Sequence, residues 1–144
     1  MKVRDIMTKQ PVRINPAEST EVAARALAHY NIGALPVCGS DGKLCGLVTD
    51  RDLVIRCMAS GKPPEKTTVR EIMTSRVLYV QPDMDVSTAA NLMGRKQVRR
   101  LPVLEDGKLC GMLSLGDIAK LEENADAAAG ALTDISENIS YGGV

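Results

Sequence analysis

The chain has no Trp, no Phe and only three Tyr among its 144 residues. Any core must therefore be filled by Val, Ile, Leu, Ala and Met, and almost no platform exists for stacking nucleic-acid bases. Net charge is missing as well: 18 basic and 18 acidic residues cancel to zero, which removes the electrostatic footprint of a general nucleic-acid or anionic-membrane binder. A small polar or anionic ligand stays compatible with that balance. No apolar run is long enough to span a bilayer and no charged segment leads into one, so a cytoplasmic protein without a membrane partner is expected. Cys38, Cys45, Cys57 and Cys110 show no Cys-x2-Cys spacing and have only His29 to join them. No metal site is assigned, and the cysteines are expected as buried, reduced thiols. HExxH, GxSxG, P-loop and GxGxxG patterns are all absent, and His29 sits on a polar helix face without a nucleophile, so no catalytic residue is assigned and an enzyme is not expected.

What the chain does have is repetition. "VRDIMT" at Val3 to Thr8 recurs as "VREIMT" at Val69 to Thr74, and the same spacing pairs Pro16 with Pro82 and Leu35-Pro36-Val37 with Leu101-Pro102-Val103. "GKLCG" at Gly42 recurs at Gly107, one residue short of that spacing, so the first copy carries one extra residue in its turn. The reading is of a first repeat over 1–60, a linker over 61–68 ("GKPPEKTT"), a second repeat over 69–123 and a tail over 124–144.

Each repeat is expected to run β-α-β-β-α. A short apolar strand, Val12 to Ile14 or Leu78 to Val80, precedes a helix starting at Ser19 or Asp85, both good N-caps. Val22, Ala23, Ala26, Leu27 and Tyr30 form one helical stripe and Thr88, Ala89, Leu92 and Met93 the other, both taken as core. "ALPV" and "RLPVL" read as strands, and Asp41-Gly42 and Asp106-Gly107 as hairpin turns. A second helix begins near Thr49 or Ser114. Such a unit is too small to close a core alone, so an α+β fold of two pseudo-two-fold-related repeats, packed as one module, is expected. In the tail, Ala131, Leu132, Ile135 and Ile139 are spaced for a weak amphipathic helix that docks on the module or on a second subunit, and "YGGV" is expected to fray.

Thr49-x-x-Asp52 and Ser114-x-x-Asp117 fit the capping-box pattern, in which hydroxyl and carboxylate satisfy the first helical N–H groups. Each cap directly follows a strand. Hydroxyl and backbone N–H groups there suit a phosphate, and a carboxylate nearby suits a ribose diol, because one anion accepts from both hydroxyls. A nucleotide is the ligand these two roles suggest.

The ordered set "DIMT", "NIGALPV", "GLVTDRD" and "EIMT", "QVRRLPV", "GMLSLGD" resembles a tandem pair of CBS domains, a Bateman module, over roughly residues 2 to 122. The tail resembles the C-terminal extension of small stand-alone bacterial CBS-pair proteins. The resemblance implies a regulatory module without chemistry of its own, holding AMP, ADP or ATP, and less often S-adenosylmethionine or NAD, in the cleft between the repeats. It implies that Asp52 and Asp117 bind ribose, Thr49 and Ser114 phosphate, and that Thr8 and Thr74 line the pocket. Val12 and Leu78 would flank adenine, while the backbone around Gly33-Ala34 and Arg99-Arg100, just ahead of the Leu-Pro steps at Pro36 and Pro102, would read its edge. Arg51 lies between Thr49 and Asp52, where the second repeat has Leu115-Gly116, so the stronger site is expected at Thr49, Arg51 and Asp52. The family resemblance suggests a homodimer that signals to a separate, unknown protein. The alternative is a ligand-free homodimeric scaffold or protein-interaction module with vestigial pockets.

Overall fold

The computed structural model describes residues 1–121 and 129–136. Its elements run α1 (Val3–Ile6), β1 (Thr8–Lys9), α2 (Thr20–Tyr30), β2 (Ala34–Cys38), β3 (Leu44–Thr49) and α3 (Asp50–Asp52), which continues as a π-helical segment (Leu53–Met58). Then follow α4 (Val69–Ile72), α5 (Val86–Lys96), β4 (Arg100–Glu105), β5 (Lys108–Ser114) and α6 (Leu115–Ala119). The described residues 129–136 are helical and form α7. The fold is α+β, built from two copies of one helix–hairpin–helix unit.

Local chemistry explains most of these elements, and three expectations change. Ser19 caps α2, its hydroxyl accepting from the Val22 N–H at 3.2 Å. Asp85 holds the N-cap position of α5 without a side-chain cap bond. Its carboxylate instead accepts from Lys2 Nζ at 3.0 Å, and that ammonium holds it below the ordinary aspartate range. The apolar runs Val12 to Ile14 and Leu78 to Val80 are not strands: each makes a one-residue parallel bridge, Ile14 to Val37 and Val80 to Val103. Pro16 and Pro82 follow two residues after the bridged positions, and a residue without an N–H cannot extend a ladder. The helical stripes are also rotated. Ala23 and Leu27 are buried, but Val22 and Tyr30 are 41% and 52% exposed; in α5, Val86, Ala89, Ala90 and Met93 are buried while Thr88 faces outward.

The short helices α1 and α4 occupy "VRDI" and "VREI", where no element was expected. Asp5 accepts from the Lys2 N–H at 2.8 Å and Glu71 from the Thr68 N–H at 2.6 Å, closing the first turn of each. Asp106 and Gly107, with φ of 53° and 78°, form the two-residue turn between β4 and β5; this left-handed pair matches the twist of the strands it joins.

Packing divides the chain into two compact units that do not coincide with the repeats. One comprises Met1–Gln10, Leu78–Glu105 and the chain from Cys110 onward. Its sheet has the order β1-β5-β4, with Thr8 opposite Met112, and its core gathers Val3, Val86, Met93, Leu101, Leu113 and Ile118. Ala131 and Ile135 of α7, each 4% exposed, join that core. The tail therefore docks on the second repeat of its own chain; Ile139 and "YGGV" lie outside the described residues. Gly94 of α5 makes room for it, since a Cβ there would stand 3.1 Å from the Ala131 Cα.

The other unit comprises Pro11–Val77 and the turn Asp106–Leu109. Its hairpin pairs Ala34 with Thr49 and Leu35 with Val48, over a core of Ala23, Leu27, Leu35, Val48, Val69 and Ile72. The expected linker is more than a spacer: Thr67 is 4% exposed, its carbonyl accepts from Thr20 Oγ1 at 2.9 Å, and its own hydroxyl donates to the Pro63 carbonyl at 2.7 Å. All four cysteines are free thiols, Cys38 and Cys57 buried and Cys45 and Cys110 half-buried. Burial raises the pKa of Cys38 and of Cys110 above the ordinary thiol value. No helix among the described residues is long and apolar enough to cross a membrane.

Candidate functional site

Both capping boxes form as the sequence suggests. In the first repeat the Thr49 hydroxyl accepts from the Asp52 N–H at 3.2 Å, and Asp52 Oδ2 accepts from the Thr49 N–H at 3.0 Å. In the second, Ser114 and Asp117 exchange the same two bonds at 3.0 Å each. A further bond ties each junction to the strand beside it. The Asp50 N–H donates to the Gly33 carbonyl at 3.1 Å, and the Leu115 N–H to the Arg99 carbonyl at 2.8 Å. Strand-to-helix turn and Leu-Pro strand are thus locked together in each repeat, because the new helix's first N–H needs an acceptor and the neighbouring strand end supplies it.

The expected site residues fall into two sets. Val12, Gly33, Ala34, Pro36, Thr49, Arg51, Asp52 and Thr74 share the unit built on the first repeat, whereas Thr8, Leu78, Arg99, Arg100, Pro102, Ser114 and Asp117 share the other. Thr8 and Thr74 have changed places relative to sequence order: Thr8 pairs with β5 through Met112, and Thr74 with Leu47 of β3. Ala34 and Pro36 are buried, and the Pro36 carbonyl accepts from the Ile14 N–H at 3.0 Å, as that of Pro102 does from Val80. Val12 and Leu78 are half-buried, while Arg51, Arg99 and Arg100 are exposed.

One residue of the first set was missed. Arg56, on the π-helical segment, places its Nε 3.8 Å from Asp52 Oδ1. Its Nη1 donates to the carbonyls of Ile72 and Met73 at 3.1 Å each and reaches the Thr74 hydroxyl at 3.4 Å. The acid-then-base spacing of Asp52 and Arg56 along a helix was the available signal. In the second repeat the equivalent position is Leu121, and Asp117 has no cation partner among the described residues.

The second set opens onto a cavity of about 550 Å³ lined by Arg99, Arg100, Ser114, Leu115, Gly116, Ala119, Ala129 and Leu132. Three of these were expected as ligand contacts. The residues contributed by α6 and α7 are apolar, and Arg99, Arg100 and Ser114 border the same cavity, so it suits a ligand with an apolar body and an anionic group. Among the described residues no cluster of three or more His, Cys, Asp or Glu could hold a metal.

Comparison with known proteins places this geometry. The CBS domain family model matches residues 3–58 and 69–124. Hypoxic response protein 1 of Mycobacterium tuberculosis is 37% identical over 123 residues, covering 85% of this chain and 86% of that protein. The crystal structure of Hypoxic Response Protein I with two coordinated zinc ions superposes with a TM-score of 0.78 at 36% identity, covering 83% of this chain and 98% of the other. The CBS domain pair of protein MJ0100, in complex with 5-methylthioadenosine and S-adenosyl-L-methionine, gives 0.76 at 30% identity over 87% and 98% of the two chains. CBSX2 in complex with AMP gives 0.73 at 30% identity over 83% and 93%. Two matched segments, two cap junctions of one geometry and these neighbours agree: the chain belongs to the CBS-domain family and carries two CBS domains in tandem.

Proposed function

We propose that this protein is a regulatory module without catalytic activity that binds an adenine nucleotide of the AMP, ADP or ATP class in the cytoplasm and signals to a separate protein. The observation that carries the reading is the 550 Å³ cavity joining Arg99, Arg100 and Ser114 to an apolar wall. It is supported by neighbours that hold AMP, or 5-methylthioadenosine with S-adenosyl-L-methionine. Ser114 and the arginines take the phosphate, and Asp117 the ribose diol. Since Asp117 Oδ2 is engaged by the Ser114 N–H, Oδ1 is the oxygen offered to the sugar.

The first repeat keeps Thr49, Arg51 and Asp52 as a second site, with Val12 and Thr74 beside it. There Arg56 competes for Asp52 Oδ1, which reverses the expected ranking: the second repeat is the stronger site. Self-association is supported by Val54, Ile55 and Met58, 50%, 50% and 75% exposed along one helix, where the second repeat has Ala119, Lys120 and Glu123. Burying such a patch in a homodimer removes apolar surface from water.

Calorimetric titration of nucleotide-stripped protein with AMP, ADP, ATP and S-adenosylmethionine tests the reading, run beside Asp52→Asn and Asp117→Asn. Asn keeps a cap acceptor while removing the charge that holds a diol. Saturable binding, weakened about tenfold or more by Asp117→Asn and less by Asp52→Asn, is expected from the loss of charge-assisted hydrogen bonds. No heat from any ligand in a folded protein would favour the ligand-free scaffold instead.

A further inference from the structure

We propose that α7 is a working wall of the second repeat's binding pocket, so that nucleotide binding and docking of the tail are energetically coupled. This rests on the nucleotide reading above and adds how occupancy is reported.

Two faces of α7 do different things. Ala131 and Ile135 are each 4% exposed and belong to the core of the second repeat, which holds the helix in place. Ala129 and Leu132 line the cavity together with Ser114, Leu115 and the two arginines, and Leu132 remains 43% exposed. A ligand occupying this cavity covers apolar surface that the tail presents and α6 alone cannot supply. The seat of the helix is narrow. A Cβ on Gly94 would stand 3.0 Å from Asp134 Oδ2 and 3.1 Å from the Ala131 Cα, so a larger residue there displaces the tail.

Most of a helix's stability in water comes from packing of its apolar face, which for the described residues of α7 is Ala131 and Ile135. The helix is therefore either seated, with the pocket complete, or released, with its apolar wall missing. A ligand that contacts the seated state alone shifts that equilibrium, and by linkage a released tail lowers ligand affinity by the same factor. Among the described residues no part of the tail lines the site residues of the first repeat, so it is the second repeat's occupancy that this wall transmits.

The test uses the full chain with AMP and ATP as probes, reading affinity by calorimetry and amide hydrogen exchange across 129–136. Gly94→Leu unseats the tail and keeps a good helix former in α5, whereas Leu132→Ala trims the wall and leaves the helix seated. Expected are slower exchange over 129–136 on adding nucleotide, loss of that slowing in Asp117→Asn, and affinities about tenfold lower in Gly94→Leu and a few-fold lower in Leu132→Ala. Wild-type affinity in both tail variants, with tail exchange indifferent to nucleotide but binding still weakened in Asp117→Asn, overturns the coupling and leaves the nucleotide site standing. Absence of AMP and ATP binding to the wild-type chain overturns both.

Discussion

The two strand-to-helix junctions have the same backbone and different surroundings. Thr49 with Asp52 and Ser114 with Asp117 make identical pairs of cap bonds, yet Asp52 faces the Arg56 guanidinium at 3.8 Å and Asp117 faces no cation among the described residues. Beyond the first junction the helix continues to Met58 with an exposed apolar face; near the second, α7 closes over a cavity. A cap motif therefore specifies a helix start and leaves the charge and solvation of its side chains to whatever packs next to it.

The largest expected effect separates the repeats at their equivalent glycines. An added Cβ at Gly46 would meet the Thr74 carbonyl oxygen at 2.6 Å, a backbone atom fixed by the bridge to Leu47; at Gly111 the nearest atom is Met7 Sδ at 2.5 Å, the flexible end of a side chain. Gly46→Ala should cost about 2–3 kcal/mol and Gly111→Ala about 1 kcal/mol, measured by urea unfolding. Equal costs would mean that the first repeat yields as easily as the second.

A smaller effect concerns Arg56. Replacing it with the residue of the second repeat, Arg56→Leu, removes the donor to the Ile72 and Met73 carbonyls at the end of α4. Because the side chain is half exposed, water replaces part of the loss, and a destabilisation of about 1 kcal/mol is expected. Asp52 is then released, so nucleotide affinity at the first repeat should rise toward that of the second. An unchanged ratio of the two affinities would break the explanation of the asymmetry.

The smallest effect is a pH dependence at the α4 cap. Hydrogen bonds from the Thr68 N–H and hydroxyl hold the Glu71 carboxyl below the ordinary glutamate range. A folded pKa below the unfolded one gives stability that is present above the unfolded value, about 4.3, and is lost as pH falls through the folded value. Glu71→Gln should therefore melt below the wild type at pH 7, with the gap closing below about pH 4. A constant gap across that range would assign the effect to packing instead of charge.

Much of the fold could be read from the chain because its signals are local. The repeat, the Leu-Pro strands, the Asp-Gly turns and the capping boxes each depend on residues within a few positions, where hydrogen-bond reach and backbone preference decide the outcome. The errors arose where a distant group intervened. Asp85 keeps the N-cap position of α5, but Lys2, far away in sequence, takes the carboxylate that a cap bond would use. Val22 and Tyr30 satisfy helical spacing with Leu27, but which side of α2 is covered depends on β2, α4 and the π-helical segment packed against it.

For the candidate site the division is similar. Residue types and spacing determined that each repeat has a hydroxyl and a carboxylate at a helix start, and that the tail carries one apolar face. Only the tertiary structure decided that Met1–Gln10 packs with the second repeat, that Arg56 reaches Asp52 and Thr74, and that the tail walls the cavity beside Arg99 and Arg100. The physical reason is range. A cap closes across three residues of one chain segment, whereas a pocket is assembled from side chains whose meeting depends on how whole elements bury their apolar faces.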